Sequence, residues 1–293
     1  MRTRLKIRSM YDKFFDVFVY AVLILLTIAT IMPFLQVVTI SLSPAEVVSK
    51  FGLHLFPTKI SFDGYIKILK YNLIWNSYLN TIIRIAFGTG ISMLLYVTGA
   101  YPLSKKYLPN KKLWTMIIIF TMYFHGGLIP SYILVSKILN FQNTIWALVL
   151  PSAVSAYTLI IVRNFFMTIP DEIEESAKID GANDIYILFK IVLPLSKAVL
   201  ATVTLWTMVF HSNAWFDCLI YITKEEKYVL QLVLRRILLE GQIQDVSSST
   251  IEYVNNDTIK MAALIVAIFP IMCLYPFVQK YFEKGVLIGS VKG

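Results

Sequence analysis

Long apolar runs dominate this sequence and limit what it can fold into. The first extends from Phe14 to Ile40, where about twenty helical residues would already cross the hydrocarbon core of a bilayer. Backbone inside lipid must satisfy its own N–H and C=O groups, so such runs fold as helices. Spans are expected at about residues 15–41, 77–101, 113–136, 144–166, 198–222 and 258–280. The chain is 57% hydrophobic and 15% charged, where soluble globular chains are about one quarter charged. The fold class read from this is all-α, a polytopic membrane protein with six transmembrane helices. Cys218 and Cys273 both fall inside apolar runs, so neither a disulfide framework nor a metal site is expected.

Charge then sets the topology. A basic segment, Met1 to Lys13, precedes the first run, but that run exceeds a signal peptide's apolar core and lacks a small-residue cleavage site. Lys105, Lys106, Lys111 and Lys112 crowd one short loop, and Arg163, Lys178, Lys190 and Lys197 surround another polar segment. Lysine and arginine in short loops mark the cytoplasmic side. With six spans, residues 1–14 and the tail 281–293 are both expected inside, flanking a six-span transmembrane domain over 15–280. The net charge of +9 belongs to this topology, and no nucleic-acid partner is expected. Residues 223–257 form a long outer loop.

The polar segment 168–196 stands out between two spans. Pro170, Asp171 and Glu172 suit a first helical turn, where carboxylates meet the positive end of the helix dipole. Ile173 and Ala177 share a face, with Glu174, Glu175 and Lys178 turned away. Gly181 is the natural stop, because glycine enters the left-handed region without a Cβ clash. Asn183 or Asp184 can cap a second helix, with Ile185, Leu188, Phe189 and Val192 as its apolar face. Pro194 bends the chain into the next span.

Glu175-Ser176-Ala177, then Gly181, Ile191 and Leu193-Pro194, resembles the EAA signature of ABC importer permeases, E-A-A-x3-G-x9-I-x-L-P. The one departure is Ser176 for the second alanine, and serine is small enough to keep close packing. Further stretches resemble the carbohydrate branch of that family, specifically the second, maltose-type permease subunit in a subgroup serving complex oligosaccharides. They are Met32 to Leu35 with Ser41 to Ser43, Gly126 to Tyr132, Asn213 to Asp217 with Leu219 to Tyr221, and Gln279 to Gly293. Where that subgroup commonly has tryptophan before Asn213, this chain has Ser212.

The resemblance implies an ABC type I importer permease in a bacterial cell membrane, working by alternating access. It implies that 168–196 is a cytoplasmic coupling loop docking into an ATPase groove. Glu174, Glu175, Ser176, Ala177, Asp180, Gly181, Ala182, Ile191, Leu193 and Pro194 would then be its coupling residues. Relatives place the tail between the ATPases, which implicates Gly285, Gly289, Lys292 and Gly293. The implied partners are a homologous sister permease, two ATPase subunits, an extracytoplasmic solute-binding protein and the bilayer. No cofactor is expected on this chain, with ATP and Mg held by the partner ATPases.

Candidate pathway residues are less sharply marked. Arg84, His125, His211 and Asp217 fall within spans, where ionisable groups face a partner or a wet cavity. Asp217 either pairs with one of the others, or Arg84, His125 or His211 lines the pathway and meets an acidic sugar. Guanidinium offers carboxylate a two-pronged match, which favours a uronate-containing oligosaccharide such as an alginate fragment. Trp146, Tyr157, Trp206, Trp215 and Tyr221 are available to stack on sugar rings, and Asn213 sits beside them in sequence. Gly88, Gly90 and Gly99 permit close helix approach, while Gly126-Gly127, Pro130, Pro270 and Pro276 should break or kink their spans. In the outer loop, Val229 to Glu240 reads as an amphipathic helix on the outer leaflet surface, on the side where the resemblance implies that the binding protein docks. Residues 241–256 are too polar to fold alone.

The chain carries no G-x-x-x-x-G-K-[ST], H-E-x-x-H or G-x-S-x-G motif, so ATP hydrolysis is expected elsewhere. The rival readings are a membrane-embedded enzyme built on His125, His211 and Asp217, which no spacing brings together, and an ABC permease for a peptide or ion.

Overall fold

The computed structural model describes residues 10–48, 52, 55–240, 242–244, 251–253, 257–269 and 272. Residues 1–9 of the expected N-terminal segment 1–14, the tail with Gly285, Gly289, Lys292 and Gly293, and the kink sites Pro270 and Pro276 lie outside them, as does Cys273. The fold is all-α, and the only strands among the described residues are Gln242–Gln244 and Ile251–Tyr253. Two compact units emerge, Met1–Lys70 with Tyr253–Val266 and Tyr71–Glu252 with Ala267–Gly293.

In the first unit the helix Met10–Ser41 runs unbroken through Pro33 and is apolar on every face. A helix of that pattern belongs against lipid or other protein. Its C-terminal end is anchored by hydroxyls. Thr39 donates to the Leu55 carbonyl at 3.0 Å, Ser41 Oγ lies 2.8 Å from the Tyr65 hydroxyl, and Thr258 donates to the Ser43 carbonyl at 3.0 Å. Residues 257–269 are helical, covering the start of the sixth expected span.

The second unit is organised on the helix Asn72–Ser104, against which Lys197–Asn213, Ala156–Phe166 and Leu230–Arg235 pack. Lys13–Ser41, within the first helix, and Asn72–Ser104 are each long and apolar enough to cross a membrane unbroken. Other segments reach that length only as bent pairs. Lys111–Tyr123 and Leu128–Ile138 meet at 108°, Ile145–Ser152 and Ala156–Phe166 at 54°, and Asp184–Leu195 and Lys197–Asn213 at 83°. The first break falls at Gly126-Gly127, where Gly127 has φ +88°, as the sequence predicts. The last follows Pro194, again as predicted. The second coincides with Pro151, where the helix tightens into Leu150–Ser152.

Two expectations change. The fifth span is interrupted at Ala214 and Trp215 before resuming as Phe216–Tyr221. The outer helix is not a surface helix: Val229, Leu230, Leu232, Val233, Leu234 and Ile237 are all buried. Its start is tied to the long helix by the Leu230 N–H on Thr81 Oγ1 at 2.9 Å, and by Asn80 Nδ2 donating to the Glu226 and Tyr228 carbonyls. Apolar periodicity marks a face that avoids water, and here protein rather than lipid covers it.

Candidate functional site

The polar insert folds as two capped helices. Asp171–Ile179 carries Asp171, Glu172 and Glu174 in its first turn. It ends where the Ala182 N–H donates to the Ala177 carbonyl at 2.9 Å and the Gly181 N–H to the Lys178 carbonyl at 3.0 Å. That reciprocal pair requires a left-handed residue between them, and Gly181 supplies it at φ +84°. Asn183 is the cap of Asp184–Ile187, its Oδ1 accepting the Tyr186 N–H at 2.8 Å. Asp184 instead pairs with Lys178 Nζ at 3.1 Å and accepts from the Tyr107 hydroxyl. That bond holds the Lys178 ammonium protonated to higher pH than usual.

The buried face of the second helix is Ile187, Leu188 and Val192, while Ile185 and Phe189 stay 69% and 58% exposed. Leu188–Val192 is a π turn, whose i→i+5 bonding rotates the face away from the 3.6-residue register that predicts Ile185 and Phe189. Ala177, Ala182, Ile191 and Leu193 pack against the cluster that includes Tyr101, Leu103, Phe166 and Val192. Small residues at 177 and 182 let the insert approach the ends of the spans. Glu175, Ser176, Asp180, Gly181 and Pro194 face outward, and Ile179 beside them is 87% exposed.

The basic loop latches onto the insert from the other side. Lys105, the residue that ends Asn72–Ser104, bonds both carboxylate oxygens of Glu174, with each side chain about nine-tenths buried. Its ammonium also lies 4.1 Å from the Tyr101 ring centroid. Lys106 pairs with Asp171 at 2.5 Å in the open. Hydrogen bonding within that pair holds the Asp171 carboxyl below its ordinary range and raises the Lys106 ammonium. Thus Glu174 is engaged inside the chain, while Glu175 is exposed.

A second constellation sits where two helices are broken. Arg84 is fully buried and forks onto Asp217, with Nη1 on Oδ1 at 3.0 Å and Nη2 on Oδ2. Nη1 also donates to the Ala214 carbonyl at 3.1 Å and Nη2 to the Leu148 carbonyl at 3.3 Å. Ala214 lies in the interruption of the fifth span and Leu148 just ahead of Pro151. The Cys218 N–H, which would serve the Ala214 carbonyl in a continuous helix, turns to Asp217 Oδ1 at 2.8 Å. One guanidinium therefore satisfies two freed carbonyls and one acid. Of the two readings of Arg84, this is the pairing one, and the side chain presents no surface to a sugar.

Around this peg opens a cavity of about 770 Å³, lined by Trp206, Phe210, Asn213, Trp215, Phe216 and Asp217 together with Ser152. A smaller one of about 280 Å³ shares Ser152, Trp206 and Phe210 with it and adds Tyr96, Ser155, Thr158 and Thr207. Aromatic side chains in the one and hydroxyls in the other suit a ligand with apolar faces and polar edges. Asn213, Trp215 and Asp217 are thus brought together as the sequence suggests, with Trp206. The other candidates are elsewhere. His125 is exposed in the break of the third span, and Trp146 and Tyr157 are exposed but line neither cavity. His211 is sealed against the long helix, where a Cβ on Gly88 would lie 2.4 Å from its Nε2. Tyr221 is buried, stacked on Tyr132, and Ser212 is also buried. Sequence reasoning passes over Arg235, whose guanidinium lies 4.0 Å above the Trp215 ring.

Apolar helices with protein-lined breaks, bordering an open aromatic cavity and carrying a polar insert, define a membrane-embedded transport subunit. The chain belongs to the family described as binding-protein-dependent transport system inner membrane component, whose model matches residues 3–288. It is similar to the polygalacturonan/rhamnogalacturonan transport system permease protein YtcP of Bacillus subtilis (strain 168), with 38% identity over 97% of this chain and 100% of that one. Protein LplC of the same organism is 38% identical over 90% of each chain. Among solved structures it resembles a chain of a bacterial ABC transporter involved in the import of the acidic polysaccharide alginate. There the TM-score is 0.86 and the identity 31%, over 94% of this chain and 99% of the other. YtcP is named a transport system permease, and this chain is a transport subunit rather than an enzyme.

Proposed function

We propose that this chain is one of two permease subunits in an ATP-driven importer of oligosaccharides, with uronate-containing saccharides as its substrates. The observation that carries the reading is the cavity, whose wall joins Trp206, Phe210 and Trp215 with the polar side chain of Asn213. Pyranose rings stack on aromatic faces while their hydroxyls seek hydrogen bonds, as small-molecule sites generally combine apolar walls with few polar groups. Kinship with permeases of polygalacturonan and alginate transporters supports an acidic substrate. In this account a sister permease completes the cavity and a solute-binding protein delivers the saccharide from outside. Of the two ATPase subunits beneath, one docks on Glu175, Ser176 and Ile179 of this chain, with Asp180, Gly181 and Pro194 shaping that surface, and the other docks on the sister permease. Both termini are cytoplasmic, and the tail reaches the ATPases. ATP and magnesium belong to those subunits, and this chain holds no cofactor.

The test is to reconstitute the complete complex in nanodiscs and measure ATP hydrolysis with a panel of oligosaccharides. Oligogalacturonates and alginate oligomers should stimulate turnover more than maltodextrins of equal length. Equal response to neutral and acidic sugars would remove the acidic assignment, and no response to any saccharide would remove the sugar assignment.

A further inference from the structure

The cavity's polar groups leave a question of charge, because Asp217 lines it and its substrate is read here as an anion. That carboxylate is closed on Arg84, so the pair adds no net charge. Two consecutive arginines on the buried outer helix then behave differently. Arg236 is occupied within the protein, with Nη1 3.1 Å from Glu225 Oε1 and Nη2 3.1 Å from the Tyr228 hydroxyl. Arg235 is exposed and has no acid partner among the described residues. What holds it is Trp215, a cavity-lining ring, at 4.0 Å from the guanidinium carbon.

We infer that Arg235, held on Trp215, reads the carboxylate of an acidic saccharide at this cavity, and this rests on the importer reading above. A guanidinium lying on an indole engages through its face, while its N–H donors point outward in its own plane. Those in-plane donors form the fork that matches a carboxylate. Stacking also restrains a side chain that would otherwise lose rotamer freedom on binding, which lowers the entropic cost of capture. Arg235 is not itself in the cavity wall but borders it through Trp215, so a saccharide seated against the edge of that ring would bring its carboxylate to the guanidinium donors. The ligand class is a hexuronate residue within an oligosaccharide. A neutral hexose in the same place would forgo the fork.

The experiment uses the full complex with its solute-binding protein, and two probes, tetragalacturonate and its fully methyl-esterified, uncharged form. The concentration giving half-maximal ATPase stimulation is measured for each. The same binding protein delivers both probes in every arm, so a change in their ratio belongs to the permease. Arg235→Gln should reduce the preference for the charged probe about ten-fold, as expected for loss of a hydrogen-bonded charge pair. Arg235→Lys, which keeps charge without the planar fork, should fall between. Co-elution with the sister permease and ATPases reports assembly, and Arg235→Met, which retains the apolar stem on the indole, repeats the measurement where glutamine disturbs it. An assembled Arg235→Gln or Arg235→Met complex with the wild-type ratio overturns the assignment while leaving saccharide import standing. A wild-type complex stimulated by neither probe overturns both.

Discussion

Arg84 and Asp217 are 133 residues apart, yet together they hold two broken helices in register. The sequence shows that ionisable groups inside spans must find partners, and no spacing says which. What decides the pairing is the interruption at Ala214, because it frees a carbonyl that Arg84 reaches alongside the acid. Removing one member of a buried pair leaves the other uncompensated, typically at a cost of about 3–5 kcal/mol. Arg84→Gln and Asp217→Asn should each lower the unfolding temperature of the purified complex by several degrees. The double variant Arg84→Met with Asp217→Leu should recover much of the loss, since an apolar pair needs no desolvation. Unchanged melting in both single variants would mean that the peg carries no stability.

At the scale of elements, the insert was the most legible part of the chain. Its stop at Gly181 and its cap at Asn183 follow from local stereochemistry, which short sequence windows record well. The latch between Lys105 and Glu174 was hidden, because lysines in a short inside loop already have a sufficient explanation in topology. The π turn at Leu188–Val192 was hidden as well, since apolar periodicity presumes α-helical register. Pro151 marked a break that the apolar run around it masked. At Gly181 a Cβ would meet open space, so Gly181→Val suffers from the left-handed backbone alone, by about 1–2 kcal/mol. That strain should misplace the docking helix without preventing membrane insertion. The variant complex should assemble yet lose most saccharide-stimulated ATP hydrolysis, and stimulation at the wild-type level would show that the insert tolerates either geometry.

For the whole molecule, all-α character and membrane location follow from composition and run length, and the likeness to solved importer permeases agrees. Substrate chemistry was less legible, because a cavity wall is assembled from residues scattered over several helices: Tyr96, Ser152, Trp206 and Trp215 share no motif. The proposed mechanism joins the two constellations. The insert, packed through Ala177 and Ala182 and latched by Lys105, moves with the ends of the spans, and those spans carry the cavity. A ligand can shift such an equilibrium only through unequal contact with the two states, so binding outside and hydrolysis inside must be coupled in one particle. The most direct measurement is uptake of radiolabelled tetragalacturonate into proteoliposomes holding the complete complex, with the binding protein outside and ATP supplied to the ATPase side. The account predicts accumulation above the external concentration that requires ATP and is abolished by Gly181→Val. Uptake that merely equilibrates, or that proceeds equally without ATP, would contradict it.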